Sequence, residues 1–228
     1  MCKLNIYSVN IPEKLSSYEF EIYMKEIPFH TQNRIRRYIK QQDAIRSLFS
    51  QLLLQKVIQK EKNVKRDELL FYKNIYGKPY LSNMSNYHFN ISHSGKYVVC
   101  VTHNEQVGID IEHIKPISLD ITKYFCTLDE YKYILTQPKE RHTSLFYDFW
   151  TLKESFIKAI GKGLSIPLDS FEFECENGEF FIKENFYSNE FFFKQYNINP
   201  GYKLSVCAKS IDFPREIKEI HYSSFYTK

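Results

Sequence analysis

The strongest constraint on how this chain can fold is the stretch TQNRIRRYIKQQDAIRSLFSQLLLQKVIQK, residues 31–60. Ile35, Tyr38, Ile39, Ile45, Leu48, Phe49, Leu52, Leu53 and Val57 recur there at the i, i+3, i+4 spacing of one helical face, with only Gln42 interrupting. The spacing predicts one long helix with Thr31 as its N-cap. An apolar stripe of that length must be covered by another layer. The next segments read as that layer. ELLFYKNIYGKPYL predicts a strand, a Gly-Lys-Pro loop and a second short strand. FNISHSGKYVVCVTHNEQVGIDIE predicts three strands, with turns at Ser94-Gly95 and at 103–106.

The pattern then returns. Residues 128–137 read as a helix, and SLFYDFWTLKESFIKAIGKG as a longer one, with Phe146, Phe149, Trp150, Ile157 and Ile160 on one face and Gly161 and Gly163 ending it. A strand over 3–9 and a helix over about 16–26 open the chain, and strand-like segments, among them SFEFEC, EFFIKE, YKLSVCAKS and IKEIHYS, fill 168–223. The expectation is an α+β fold of two similar halves, 1–105 and 106–228, related by a pseudo-two-fold. Each half is a small sheet packed on a long helix, with a ligand cleft between them.

Composition excludes several classes. With 43% hydrophobic and 25% charged residues, the 228-residue chain is globular rather than disordered. A net charge of +4 is too weak to argue for nucleic acid. Between positions 34 and 46, however, Arg34, Arg36, Arg37, Lys40 and Arg46 face a single Asp. That excess suits a phosphate-bearing ligand, an acidic partner or simply a solvated helix face. Five cysteines without a C-x-x-C spacing argue against a disulfide framework or a zinc site. The N-terminus has no apolar signal region and no apolar run is long enough to span a bilayer, so a cytoplasmic protein without a membrane partner is expected.

The chemistry-bearing residues begin with VGIDIE. In a strand, Asp110 and Glu112 project from one face and Ile109 and Ile111 from the other. Two adjacent carboxylates repel unless a cation lies between them, and Mg²⁺ is a natural neutraliser; a hydrated sheet edge is the plain alternative. Glu154 and Lys158 lie one helical turn apart, either as a surface ion pair or as a third metal ligand and a phosphate clamp. Ser92 and His93 are strand neighbours on opposite faces, which is no hydrolase triad. GKG at 161–163 lacks the spacing of a P-loop, and no G-x-S-x-G elbow exists.

Taken in order, FNISHSGKYVVCV, VGIDIE and FWTLKESFIKAIGKGLSIPL closely resemble the 4′-phosphopantetheinyl transferases of the Sfp type, which prime nonribosomal peptide and polyketide synthases. The resemblance extends to YGKP, QDAIRSL and GYKLSVCA, and so covers nearly the whole chain. It implies transfer of the phosphopantetheine arm of coenzyme A to a serine of an apo carrier protein, with release of 3′,5′-ADP. It implies Mg²⁺ on Asp110, Glu112 and Glu154, and a catalytic set of Glu154, Lys158 and Asp110. Coenzyme A contacts fall to Arg34, Arg46, Ser47, Lys78, Pro79, Ser92, His93 and Lys158. Thr31 stands where a second lysine is often found, three places before Arg34.

The nucleophile comes from the partner in such a reaction, which accounts for the lack of an activated Ser or Cys. A Mg²⁺-dependent phosphohydrolase of coenzyme A or a nucleotide, and a non-catalytic coenzyme A or carrier-binding module, would draw on similar residues. Presence of all three carboxylates and of Lys158 favours an active enzyme over the binding module. The resemblance is to the long form of the family, which carries both halves in one chain, and so implies a monomer. The stretch 117–135, with Phe125, Leu128, Tyr131 and Ile134, is the candidate carrier-docking surface, although the same residues suit a core.

Overall fold

The computed structural model describes residues 3–176, 178–183 and 190–226 of an α+β protein. The first half runs β1 (Asn5–Asn10), α1 (Ser17–Lys25), α2 (Phe29–Ile35), α3 (Gln41–Lys62), the hairpin β2 (Phe71–Lys73) and β3 (Pro79–Leu81), and the hairpin β4 (His88–Ser94) and β5 (Tyr97–His103). Its sheet has the order β1-β5-β4. Tyr7, Val9, Phe89, Val98 and Cys100 share a core with Ile45, Leu48, Phe49, Leu52 and Leu53 of α3. Burying an aliphatic or aromatic side chain of this kind contributes about 1.5–3 kcal/mol. The helix is therefore held chiefly by packing rather than by its own propensity.

The single helix expected over 31–60 is two helices. A turn over 36–40 separates α2 from α3, and Lys40 is extended (φ −93°, ψ 126°) where α3 begins. Ile35 is buried, but Ile39 is fully exposed and Tyr38 is partly so. The apolar spacing thus runs through two residues that join no core. Thr31 is not a cap; it is buried within α2, which starts after Pro28. The amide groups of Gln41 and Gln42 donate to the carbonyls of Leu15 and Glu13, which anchor the new helix start to the segment before α1.

The second half runs β6 (Val107–His113), α4 (Leu128–Thr136), α5 (Lys139–Ile160), the hairpin β7 (Phe173–Glu176) and β8 (Glu179–Ile182), then β9 (Phe192–Gln195) and β10 (Tyr202–Ala208). Its sheet order, β6-β10-β9, repeats that of the first half: first strand, then last, then middle. α5 begins at Lys139, earlier than its densest apolar stretch, and Gly161 ends it in the left-handed conformation (φ 79°). Phe149, Leu152 and Phe156 form a second core with Phe173 and Phe191.

The tail then returns to the first half. β11 (Lys218–Glu219) pairs in parallel with β1, and Tyr222 and Phe225 pack edge-on against Phe49 at 6.3 and 5.9 Å. Only two residues of the expected IKEIHYS strand, Lys218 and Glu219, pair as a strand; 222–225 form a 3-10 turn whose start is capped by the His221 side chain.

A third core joins the halves. Leu4, Ile6, Val99 and Val101 meet Val107, Ile109, Ile111, Leu204 and Val206. β4 and β6 are not joined by a backbone ladder but by side chains: Asn90 Oδ1 accepts from Ile109 N (2.9 Å), Ser92 Oγ from Ile111 N (3.4 Å) and Ser94 Oγ from His113 N (3.0 Å). Alternate residues of β4 thus meet alternate residues of β6. No helix among the described residues is long and apolar enough to cross a membrane.

Candidate active site

Strand alternation sends Ile109 and Ile111 into the inter-sheet core and leaves Gly108, Asp110 and Glu112 facing α5. The approach of α5 is unusually close because Gly108 has no side chain. A Cβ there would stand 2.0 Å from Ser155 O and 2.5 Å from Ala159 N. From α5, Lys158 reaches back: its Nζ donates to Asp110 Oδ1 at 2.5 Å and to Ser92 Oγ at 3.2 Å. Ser92 Oγ donates to the same Asp110 oxygen at 2.8 Å, and Ser94 Oγ donates to Glu112 Oε2 at 2.7 Å. The other Asp110 oxygen, Oδ2, is buried without a hydrogen-bond partner.

Burial dominates the electrostatics. It raises the Glu154 carboxyl above the usual carboxylate range; Asp110 and Glu112 add to the rise, and Lys158 opposes it. Glu112 is raised by burial and then by Asp110, against the Ser94 hydrogen bond and Lys158. Desolvation pushes the His93 imidazole below its usual value, with Arg46 and Lys158 adding to the effect.

These residues line a cleft of about 1020 Å³ to which both halves contribute. Arg34, Ser47, Pro79, Ser92 and His93 come from the first half, and Asp110, Glu112, Glu154 and Lys158 from the second. Thr31 also lines it, beside His30. Such a volume lies at the upper end of the range for small-molecule sites, about 300–1,000 Å³.

Two expected coenzyme A contacts have their charged groups engaged by acceptors of the protein itself. Arg46 is not in the cleft wall; its guanidinium is engaged by Asp43, Gln42 and the carbonyl of Gly95, because partners three and four residues away on its own helix are the nearest acceptors. Lys78 does not line the cleft either. Its ammonium donates to the carbonyls of Val107, Lys158 and Ala159, and burial lowers its pKa to about 8. Two residues that sequence reasoning passed over take part in the site. Ser94, read only as a turn residue, holds Glu112, and Gly108 admits α5. The alternating polar series Asn90, Ser92, Ser94 was the available signal for the first.

Among the described residues no group of three His, Cys, Asp or Glu side chains is arranged to hold a metal on its own. Lys158 supplies the positive charge beside Asp110 in this structure. The residues nonetheless fit Mg²⁺, which is commonly held by one or two carboxylates together with water and substrate phosphates. The unpartnered Asp110 Oδ2 is the oxygen that most needs such a partner.

Comparison with known proteins decides the family. The chain is 39% identical over 220 residues to the 4′-phosphopantetheinyl transferase Sfp of Bacillus subtilis, covering 96% of this chain and 98% of that protein. The chain belongs to the 4′-phosphopantetheinyl transferase superfamily. The superfamily model matches residues 106–207, and the model of the 4′-phosphopantetheinyl transferase N-terminal region matches 14–105. The transferase ffp of B. subtilis is 37% identical over 97% of this chain and 99% of its own, and the transferase gsp of Aneurinibacillus migulanus 35% identical over 88% and 84%. A solved holo-[acyl-carrier-protein] synthase of Thermotoga maritima overlays more loosely, at 22% identity over 45% of this chain and 61% of that one, with a TM-score of 0.38.

Proposed function

We propose that this chain transfers the 4′-phosphopantetheine arm of coenzyme A to a serine hydroxyl of an apo carrier protein, releasing 3′,5′-ADP. The observation that carries the reading is the convergence of Asp110, Glu112, Glu154 and Lys158 with Ser92 and His93 in one cleft, in a chain alike over almost its whole length to named transferases. In the reaction the serine oxygen attacks the β-phosphorus of coenzyme A. The bond from that phosphorus to the bridging oxygen breaks, and the bridging oxygen leaves with 3′,5′-ADP.

Asp110, Glu112 and Glu154 are the proposed Mg²⁺ ligands, and Mg²⁺ when bound supplies neutralising charge for the pyrophosphate. Lys158, whose side chain keeps 28% exposure, offers its ammonium to the pyrophosphate oxygens. Glu154, with its raised carboxyl pKa, is poised to take the serine proton. His93, Ser92, Ser47 and Pro79 line the coenzyme A subsite, and Arg34 suits its 3′-phosphate.

The two halves, 1–105 and 106–228, act as one catalytic unit in a monomer, with the cleft at their junction. Within the candidate docking stretch, Phe125 and Ile134 are core residues. The exposed Leu128, with Tyr124 and Ile121, is the part available to a carrier.

The test is an intact-mass measurement on an apo peptidyl carrier domain mixed with the protein, coenzyme A and Mg²⁺. A gain of one phosphopantetheine arm, abolished by EDTA, is the expected result. Breakdown of coenzyme A without any carrier gain would replace the transferase with a phosphohydrolase. Binding of coenzyme A with neither reaction would leave a binding module.

A further inference from the structure

The last turn of α5 is closed from the other half of the molecule. A helix leaves its final carbonyls without partners of its own. Here the carbonyl of Ile157 accepts from Gly161 N, but those of Lys158 and Ala159 accept from Lys78 Nζ at 2.6 and 2.9 Å. The same ammonium donates to Val107 O, at the start of β6, at 3.3 Å. Asn74 Nδ2 donates to Gly161 O at 2.7 Å. Asn74 also shapes the loop between β2 and β3, since its Oδ1 accepts from the backbone N–H of Tyr76 and of Lys78.

The contact is tight. A Cβ on Gly161 would stand 2.7 Å from Lys78 Cδ. An ammonium has three donors, and three carbonyls use them, which leaves none for a phosphate. The positive charge also complements the negative end of the α5 dipole. Lys158 is consequently gripped at both ends: its carbonyl by Lys78 and its ammonium by Asp110.

We infer that Lys78, supported by Asn74, is a positioning residue: by holding the end of α5 and the start of β6 it sets where Lys158 meets Asp110. The inference rests on the reading that Lys158 and Asp110 form the reaction centre. It gives the first half a role in aligning residues of the second. It also makes the loop whose Gly77 and Pro79 line the cleft the clamp of the catalytic helix.

The test compares Lys78→Met, Lys78→Arg and Asn74→Ala with the unaltered protein. The readouts are amide hydrogen exchange over 157–163, the coenzyme A Kd by calorimetry, and kcat and KM for carrier modification. In Lys78→Met the last-turn amides should exchange about tenfold faster or more. The kcat should fall about 10- to 100-fold, as expected for misplacement of a catalytic group on the order of 1 Å. The coenzyme A Kd should stay within about twofold, because no ligand contact is removed. Lys78→Arg, which keeps charge and donors, should recover part of the loss. Should Lys78→Met fail to fold, Asn74→Ala carries the same expectations in milder form.

A weakened coenzyme A Kd at unchanged kcat would overturn the inference and make Lys78 a substrate ligand. A lowered Tm with wild-type kcat well below it would also overturn it, leaving a purely structural contact. If the unaltered protein modifies no carrier, the proposed function fails, and the exchange result alone decides whether the clamp exists.

Discussion

Gly108→Ala is the most direct test of whether the site depends on the closeness of β6 and α5. The glycine needs no special backbone conformation, so the substitution acts through space alone. The new Cβ would lie 2.0 Å from Ser155 O and 2.5 Å from Ala159 N, both backbone atoms that cannot rotate aside. Restoring ordinary contact requires strand and helix to part by at least ~1 Å. Over-packing of this kind costs about 1–3 kcal/mol, or a Tm drop of roughly 2–12 °C for a chain of this size. The functional cost should be larger in relative terms. Asp110 follows Gly108 by two residues, Lys158 precedes Ala159 by one, and their ion pair now spans 2.5 Å. Displacement on that scale lowers turnover about 100-fold. The assay is kcat for carrier modification well below the variant's Tm, beside a thermal melt. Gly201→Ala is the control: its Cβ would meet nothing closer than 3.6 Å, so neither quantity should change. A Gly108→Ala protein with the wild-type Tm and turnover would refute the reasoning.

Glu154→Gln should abolish carrier modification yet raise the Tm of the ligand-free protein at neutral pH. The Glu154 pKa is raised above 4.5 in the folded state, so the folded state holds more protons across that window and stability falls as pH rises through it. Melts between pH 4 and 7 check this; an identical pH slope in the variant would contradict it. Lys153→Met should cost about 3–5 kcal/mol in urea unfolding, because it leaves the Glu130 carboxylate buried without its cation. Both side chains are fully buried, 2.9 Å apart, and Lys153 also donates to the carbonyls of Leu168 and Phe171. A loss under ~1 kcal/mol would remove that ion pair from the account of stability.

The alternation of VGIDIE was enough to put Asp110 and Glu112 on one face and the isoleucines on the other. The helical spacing of FWTLKESFIKAI was enough to put Glu154 and Lys158 on one side of α5. Both are local periodicities, set by backbone geometry within a few residues, and the folded chain keeps them. The helix over 31–60 failed for the same reason in reverse. Its spacing continues through Tyr38 and Ile39, but whether a stripe is buried depends on what lies opposite, and nothing covers Ile39.

Other features were beyond any local pattern. Lys78 finds the carbonyl of a residue 80 positions away, and Ser94 holds a carboxylate 18 positions on. A lysine ammonium or a serine hydroxyl bonds whatever acceptor the fold brings within reach, so its partner is a property of the assembled molecule. The sequence by itself determined which faces are apolar, which carry carboxylates and where glycine is placed. Only the tertiary structure decided that β4 and β6 meet through side chains, that α5 closes onto Gly108, and that the first half caps the helix of the second. The physical reason is range: side-chain periodicity acts over one or two turns, whereas packing and hydrogen-bond choice act between surfaces that become neighbours only when the chain has folded.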